Sequence, residues 1–175
     1  MKNCLVVIPA REGSKGVPGK NIKKLKGKPL IHYTLETARK IFKDEVIYVS
    51  TDSNEIKLAC EKNGLSVPFL RPSKLATDNS SSQDVLIHAL EFFKEENGYE
   101  PSVVILLQPT SPFRTSEHIK EAIQLYTNDI DMVVSVKETI ANPYYVLFEE
   151  DSKGFLNKSK KGDFTRRQDC PKVWE

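Results

Sequence analysis

The sequence predicts an α/β fold in which helices cover a mostly parallel sheet. Two apolar, β-branched runs, residues 4–8 and 102–107, have the length of strands that are buried on both faces. The segments between them place apolar residues at helical spacing. Strands that alternate with helices form right-handed βαβ units and therefore a parallel sheet. The 175 residues, 39% hydrophobic and 29% charged, are sufficient for one ordinary core.

The first strand, residues 4–8, leads into a loop over residues 9–29 that holds four glycines and three prolines. Pro29 is expected to open a helix, because the N–H that proline lacks has no partner in the first helical turn. The apolar spacing predicts the buried face of this helix, namely Ile31, Leu35, Ala38 and Phe42.

A second buried strand is predicted over residues 45–51. Asp52 is expected to cap the helix that follows, with Glu55 three residues later as its partner in a capping box. Asn63 and Gly64 form a typical helix C-terminus, so this helix should end there.

Four more elements are predicted beyond a polar loop. A helix over residues 83–97 would be closed by Gly98. The run over 102–107 is the most apolar in the sequence and is expected at the centre of the sheet. A helix over 115–126 and a last strand over 132–136 complete the alternation.

The pattern weakens after about residue 138, where aromatic residues stand among polar turns. We therefore expect an α/β domain over residues 1–138 and the start of a second lobe over residues 139–175. The sequence stops at Glu175 without a polar tail, so we expect a truncated chain.

The charge distribution predicts an anionic ligand. Residues 1–43 contain eleven Lys or Arg and two Glu, whereas the remaining residues carry more acidic than basic groups and the whole chain has a net charge of only +2. A nucleic acid or a phosphate-bearing small molecule would suit such an asymmetry, and a solvated helix face is the plainer alternative.

The three cysteines lie far apart, so their spacing supports neither a zinc site nor a disulfide framework. The apolar run near the start is too short for a signal peptide or a membrane span. We expect a cytoplasmic protein without a membrane partner.

The loop after the first strand has the composition of a phosphate-binding segment. Gly13 and Gly16 would let backbone N–H groups approach phosphate oxygens, and Arg11, Lys15 and Lys20 add three positive charges. In parallel sheets ligands bind beyond the carboxyl ends of the strands, which is where this loop begins. It is neither a Walker A loop nor a G-x-G-x-x-G motif.

Five stretches together resemble the acylneuraminate cytidylyltransferases. The opening segment IPAREGSKGVPGKNIKKLKGKPL is the most informative, because its SKGVP centre followed by KN differs from the S-x-R-L-P centre of enzymes that activate the eight-carbon acid KDO. The other stretches agree in order and spacing: 50–52, 71–82, 107–114 and 167–171.

The resemblance implies a Rossmann-like nucleotidyltransferase fold (GT-A-like, α/β/α) with a small dimerisation lobe. It implies transfer of CMP from CTP to the anomeric hydroxyl of a nine-carbon 2-keto acid: sialic, legionaminic or pseudaminic. Mg²⁺ or Mn²⁺ would be the cofactor and a homodimer the assembly. The family's metal-binding D-x-D pair lies beyond position 175. Asp129 and Asp131 form a D-x-D, but they precede a predicted strand and so stand at the wrong end of the sheet.

The resemblance also assigns site residues. Arg11, Lys20 and Gln108 would be catalytic, and Gln108 with Arg167 and Gln168 would contact the sugar. Nucleotide binding would involve a larger set: Ala10, Arg11, Ser14, Lys15, Lys20, Asn21, Arg71, Ser80, Ser81 and Ser82. Plainer roles stay open for Arg71 as an ion pair, for the serines as helix caps and for Gln108 as a strand-end group.

Three alternative functions remain open. The chain could be a KDO-type or other sugar nucleotidyltransferase, or a CTP- or CMP-binding fragment without catalysis. A nucleic-acid-binding role is weaker, because the aromatic residues that would stack on bases fall mostly in core positions.

Overall fold

The computed structural model describes residues 3–175, which form two compact units. One unit extends to Glu121 and the other covers Ala122–Glu175. Among the described residues, no helix combines the length and the apolarity needed to cross a bilayer.

The first unit contains most of the regular structure. Its strands are β1 Cys4–Pro9, β2 Lys24–Leu25, β3 Lys28–Pro29, β4 Ile47–Ser50 and β5 Val103–Leu106. Its helices are α1 Leu30–Arg39, α2 Asn54–Lys62 and α3 Ser82–Asn97, and α4 Ser116–Leu125 extends across the boundary between the units. The second unit adds the strands β6 Phe148–Glu150 and β7 Leu156–Lys158.

A parallel three-stranded sheet in the order β4-β1-β5 forms the centre of the first unit, which confirms the predicted fold class. Val6 pairs with Ile47 on one side and with Ile105 on the other. Residues 4–8 of β1 are completely buried, as expected for a strand covered on both faces. The chain leaves all three strands at the same edge, and the loops at that edge build the site described below.

The prediction that residues 102–107 form the central strand is wrong. Among the described strands, β5 has only β1 as a neighbour, and its side chains are partly exposed, Val104 to 37%. The central position belongs to β1, because it is the strand with two hydrogen-bonded partners. An apolar run shows that a strand is buried, but the neighbours decide its place in the sheet.

The first helix begins directly after Pro29 and buries Ile31, Leu35 and Ala38 as predicted, whereas Phe42 is buried but lies beyond the end of the helix at Arg39. Before it lies a short hairpin, β2–β3, that was not predicted. Lys26 and Gly27 both have positive φ, 48° and 83°, which is the geometry of a two-residue hairpin turn. The remainder of the basic loop is therefore shorter than the sequence suggested.

The predicted cap of the second helix is wrong. Ser53 occupies the N-cap position of α2 without a side-chain hydrogen bond. The Oδ1 atom of Asp52 instead accepts a hydrogen bond from the backbone N–H of Glu12 at 3.0 Å. The capping-box pattern predicted a hydrogen bond from the Asp52 carboxylate to its own helix. The carboxylate instead binds a loop that lies 40 residues earlier in the chain.

Helix α3 has both predicted ends. Ser81 accepts a hydrogen bond from the N–H of Asp84 at its N-terminus, and Gly98 takes the left-handed conformation with φ of 72° at its C-terminus. Its buried face packs on the sheet in one apolar cluster with members from β1, β4, α3 and the segment between α2 and α3, namely Leu5, Val7, Tyr48, Phe69, Ala89 and Phe93.

The predicted strand over residues 132–136 is absent from the described chain. Met132, Val134 and Val136 are 72%, 60% and 54% exposed, and no backbone ladder includes them. An apolar run becomes a strand only where a neighbouring strand offers N–H and C=O partners. The unit has instead the β6–β7 hairpin and an isolated bridge between Glu138 and Trp174. The separate lobe starting at residue 139 stays a prediction.

Candidate active site

A cleft of about 290 Å³ opens at the carboxyl edge of β1 and β5 in the first unit. This is the edge at which parallel sheets bind ligands. Three segments form its walls: the loop after β1, the segment that leads into α3, and the turn after β5. Polar residues that line it are Arg11, Ser14, Lys20, Asn21, Arg71, Thr77, Asp78, Ser80, Ser81, Ser82, Gln108 and Thr110.

Two hydrogen bonds, one from the backbone and one from a side chain, hold the loop after β1. The N–H of Ala10 donates to the carbonyl of Ser50 at 2.9 Å, which continues the β1–β4 pairing by one residue. The buried amide of Asn21 donates to the carbonyl of Arg11 at 3.0 Å and closes the loop on itself. Asn21 therefore stabilises the conformation of this loop and also lines the cleft.

The two glycines of this loop have open space around them. A Cβ atom at Gly13 or at Gly16 would meet no protein atom within 4 Å, and neither residue has a positive φ. The fold itself does not require glycine at these positions. Their predicted use in a close approach to phosphate oxygens stays a prediction.

Two of the three cations on this loop share one carboxylate. Arg11 Nη2 lies 2.9 Å from Oδ1 of Asp78, and Lys15 Nζ lies 2.7 Å from Oδ2. Hydrogen bonds from Lys15 and then from Arg11 hold the pKa of Asp78 below its usual range. Within the described residues no carboxylate forms an ion pair with Lys20, whose charge therefore faces the cleft uncompensated.

Arg71 is a buried cation with unused hydrogen-bond donors. Its residue is 5% exposed and its backbone N–H donates to the carbonyl of Thr51 at 2.7 Å, which fixes the side chain at the cleft wall. The Nη2 atom lies 3.7 Å from Asp52, within ion-pair range but too far for a hydrogen bond. Nε and Nη2 have no hydrogen-bond partner among the described residues. Burial lowers the pKa of Arg71, with Asp52 opposing it, and the guanidinium remains charged.

The three serines differ in their bonds. Ser80 Oγ donates to the carbonyl of Lys74 at 3.1 Å and accepts from the N–H of Thr77. Ser81 exchanges hydrogen bonds with Asp84 as the cap of α3. Ser82 lies in the first turn of that helix. The predicted capping role applies to Ser81, while all three residues line the cleft.

Gln108 stands on the turn that follows β5, with an exposed side chain that lines the cleft. Its Oε1 accepts weakly from Thr110 Oγ1 at 3.4 Å, and its backbone carbonyl accepts from Arg114 Nη2 at 3.3 Å. Burial lowers the pKa of Arg114. The turn therefore presents the carboxamide to the cleft while a guanidinium secures its backbone.

Sequence reasoning missed the roles of Asp78 and Arg114. Both lie inside stretches that resemble the cytidylyltransferases, and no single-residue signal marks either one. Asp78 matters because two distant loop cations reach it, and Arg114 because its side chain folds back on Gln108. Only the tertiary fold supplies these contacts.

The structure brings most of the predicted nucleotide residues to one place. Ala10 is buried beneath the loop, and Lys15 is held next to the cleft by Asp78. Arg167 and Gln168 belong to the second unit, where they lie in a 3₁₀ turn over Arg167–Asp169. The functional roles of all these residues stay predictions.

This arrangement suits a ligand with an anionic tail and a polar head. The cations of the loop can neutralise phosphate oxygens, and Arg71 lines the cleft with donors that have no partner among the described residues. Gln108 supplies both a donor and an acceptor to the lining.

Comparison with known proteins agrees with the geometry. A family model described as cytidylyltransferase matches residues 5–173. The chain belongs to the cytidylyltransferase family. The resemblance drawn from the five stretches is thereby confirmed.

Two curated relatives and one solved structure within this family are similar to the chain. The CMP-N,N'-diacetyllegionaminic acid synthase of Legionella pneumophila is 44% identical over 154 residues, covering 88% of this chain and 66% of that protein. An N-acylneuraminate cytidylyltransferase of Streptococcus agalactiae is 41% identical over 142 residues, covering 79% of this chain and 33% of that protein. The chain thus spans between one third and two thirds of the length of these relatives.

The solved structure supports the fold of this cytidylyltransferase. A CMP:2-keto-3-deoxy-manno-octonic acid synthetase complexed with CTP superimposes with a TM-score of 0.66 and covers 99% of this chain and 70% of that one. At 21% sequence identity this likeness concerns the fold alone.

Proposed function

We propose that the chain is the nucleotide-binding part of an enzyme that transfers CMP from CTP to a nine-carbon 2-keto acid and releases pyrophosphate. The observation that supports it best is the convergence of Arg11, Lys20 and Arg71 on one cleft at the carboxyl edge of a parallel sheet. A polyanionic nucleotide needs this charge, and the family supplies the cytidine specificity.

The triphosphate would lie along the loop after β1. No carboxylate of residues 3–175 pairs with Lys20, so its full charge is available to a phosphate oxygen. Arg11 offers a planar fork that can bind two oxygens, and Ser14 adds a hydroxyl from the same loop. Lys15 is 80% exposed and would reach the outer phosphates.

The cytosine and ribose would lie against the segment that leads into α3. Cytosine presents a carbonyl oxygen and a ring nitrogen as acceptors, and the free N–H groups of Arg71 are suitable donors. Ser80 and Ser82 would bond the ribose, because the Ser81 hydroxyl is already used in capping α3. Ala10 would leave room for the base.

The acceptor sugar would meet Gln108, whose carboxamide can orient the anomeric hydroxyl. Arg167 and Gln168 would bind the carboxylate or acyl group of the sugar, and Arg167 is suited to a carboxylate by its bidentate fork. The identity of the relatives favours sialic-acid-like sugars over the eight-carbon acid KDO.

In the reaction the anomeric oxygen attacks the α-phosphorus of CTP in line. A new P–O bond forms to the sugar, the bond to the bridging α–β oxygen breaks, and pyrophosphate carries away the negative charge. The hydroxyl proton leaves to solvent or to a base. The chain contributes position and charge neutralisation, chiefly through Lys20, Arg11 and Gln108.

A divalent ion, Mg²⁺ or Mn²⁺, belongs to the proposal through the family resemblance. The described residues contain no group of three or more His, Cys, Asp or Glu side chains placed to hold a metal. Asp78 and Asp52, the carboxylates near the cleft, already pair with cations. The described residues therefore do not fit a metal site built by protein side chains alone.

We also propose a homodimer and a cytoplasmic location. The second unit exposes large apolar side chains such as Ile140, Phe155 and Leu156, which is common where a surface is covered by another chain. Analytical ultracentrifugation would test the assembly, and a monomer at micromolar concentration would contradict it.

Pyrophosphate release from CTP tests the proposed activity. The protein would be assayed with Mg²⁺ and a panel of N-acetylneuraminate, legionaminate, pseudaminate and KDO. Release with a nine-carbon acid supports the proposal, and release with KDO alone would move the chain to the KDO-type synthetases.

A non-catalytic CTP-binding fragment is the second candidate. It is favoured because no group of three or more potential metal-ligating side chains occurs among the described residues. Calorimetric CTP binding without product at high protein concentration would select it over the enzyme.

A further inference from the structure

One carboxylate near the cleft has no place in the proposed reaction. Asp78 binds Arg11 through Oδ1 and Lys15 through Oδ2, at 2.9 and 2.7 Å. The three side chains come from two segments more than 60 residues apart in the sequence. This contact joins the loop after β1 to the segment that leads into α3.

The turn that presents Asp78 is held without the help of these cations. The N–H of Ser80 donates to the carbonyl of Thr77 at 3.3 Å, and the Oγ of Ser80 donates to the carbonyl of Lys74. The N–H of Thr77 donates back to the Oγ of Ser80 at 3.2 Å. The carboxylate is 43% exposed, so removing its charge should leave the fold intact.

A carboxylate and a phosphate compete for the same donors. Asp78 places one oxygen on each cation, which is the arrangement that two oxygens of a polyphosphate would also adopt. Both anions cannot bond the same N–H groups, and two negative groups a few ångströms apart repel one another. Lys20, in contrast, has no such competitor among the described residues.

We propose that Asp78 is an internal competitor of the polyphosphate tail and sets the affinity of the cleft for it. The inference rests on the proposed function, because it takes the tail of CTP and the pyrophosphate product as the ligands. A tail long enough to reach Arg11 and Lys15 displaces the carboxylate, whereas cytidine does not touch it. Asp78 therefore weakens the binding of a polyphosphate in proportion to the contacts that the phosphates make with these two cations. Weaker binding of the pyrophosphate product speeds its departure.

Calorimetric titration of the whole chain with inorganic tripolyphosphate tests this inference. In the Asp78→Asn variant we expect Kd to fall on the order of tenfold, since each exposed ion pair changes an equilibrium by about twofold to fivefold and two are removed. Asp78→Glu keeps the charge and should stay within about twofold of the parent. Glu117→Gln removes one negative charge from α4, where Glu117 pairs with Lys120, and should have no effect.

The opposite sign would overturn the inference. If Asp78→Asn weakens tripolyphosphate binding, the carboxylate orients the two cations for the ligand and does not compete with it. An unchanged Kd would overturn it as well. Asp78→Ser is a second charge-removing variant, and thermal unfolding of both verifies that they fold.

A separate titration distinguishes this inference from the proposed function. Comparing CTP with ATP and GTP on the parent chain tests cytidine recognition, which does not involve Asp78. If the parent shows no preference for CTP, the proposed function fails while the tripolyphosphate result still decides the role of Asp78. If CTP is preferred and Asp78→Asn changes nothing, only the competitor role fails.

Discussion

The two compact units differ in what their apolar residues do. In the first unit, residues 4–8 of β1 are completely buried, and their burial fixes the edge at which the cleft lies. In the second unit, Met132, Ile140 and Phe155 are more than 60% exposed and only short pairings are present. Apolar pattern alone therefore does not make structure, because a strand or helix also needs a partner that covers its face and completes its backbone bonds.

The largest expected effect is a loss of stability at Phe93. Its ring is fully buried and makes edge contacts with Tyr48 and Tyr99 at centroid distances of 5.5 and 5.3 Å. Phe93→Ala should lower the free energy of unfolding by about 3–5 kcal/mol. Phe155→Ala, at a residue 67% exposed in the second unit, should cost less than about 0.5 kcal/mol.

Urea unfolding monitored by circular dichroism measures both variants. Equal losses would contradict the difference between the units, because they would show that the second unit also buries its aromatic side chains in solution. A loss at Phe93 alone would support that difference.

The second effect concerns catalysis rather than stability. Lys20 lines the cleft and pairs with no carboxylate in the part of the chain that the structure describes, so Lys20→Ala should reduce kcat/KM for CTP on the order of 10²–10³-fold. Thermal stability should be nearly unchanged, since the side chain forms no ion pair within the described residues.

The matched control is Lys161→Ala, which removes an exposed lysine from the second unit. Steady-state pyrophosphate release measures both variants. Normal kinetics for Lys20→Ala would argue strongly against the loop after β1 as the phosphate site.

Gln108→Ala should separate the two substrates. We expect kcat with the sugar to fall on the order of tenfold to a hundredfold, because a misplaced acceptor hydroxyl reacts poorly. Calorimetric CTP affinity should stay within about twofold, since Gln108 is an uncharged residue on the turn after β5 and the proposed phosphate contacts belong to the loop after β1. A large loss of CTP affinity would assign Gln108 to the nucleotide instead.

The sequence predicted those features whose signals are local. Pro29 marked the start of α1, and Ser81 and Gly98 marked the two ends of α3. Each depends on the conformational preference or hydrogen bonding of a few adjacent residues. The position of the cleft followed from one further rule, that loops leaving parallel strands share an edge.

Features that depend on distant partners could not be predicted. The edge position of β5 depends on which strands pair with it, and the missing strand at residues 132–136 depends on a partner that the described chain does not provide. Asp52 accepts a hydrogen bond from a loop 40 residues away instead of capping its own helix, and Asp78 forms ion pairs with two cations of that loop. The pattern of a single sequence contains no information on such pairings. The family resemblance assigned the correct segments to one site, but it did not predict the contacts between them.

The smallest expected effect comes from two Arg–Asp pairs, one in each unit. Arg39 donates to both carboxylate oxygens of Asp44 and also to the carbonyl of Asn63 at 2.6 Å, so it connects the ends of α1 and α2. Arg166 donates to both oxygens of Asp169, only three residues away, from an exposed position. Arg39→Ala should lower the free energy of unfolding by about 1 kcal/mol, whereas Arg166→Ala should leave it unchanged.

Part of the Arg39 effect should depend on pH. Hydrogen bonds from Arg39 hold the pKa of Asp44 below its ordinary value, so the folded state favours the charged carboxylate. This contribution is present above the ordinary carboxyl pKa of about 3.9 and disappears as the pH falls through the lowered pKa. Because Asp44 is 48% exposed, solvent reduces it to about 0.5 kcal/mol or less. Asp44→Asn should therefore be less stable than the parent at pH 7, and the gap measured by urea unfolding should narrow as the pH falls below about 3.9. A gap that does not narrow in acid would show that the charge of Asp44 contributes nothing to it.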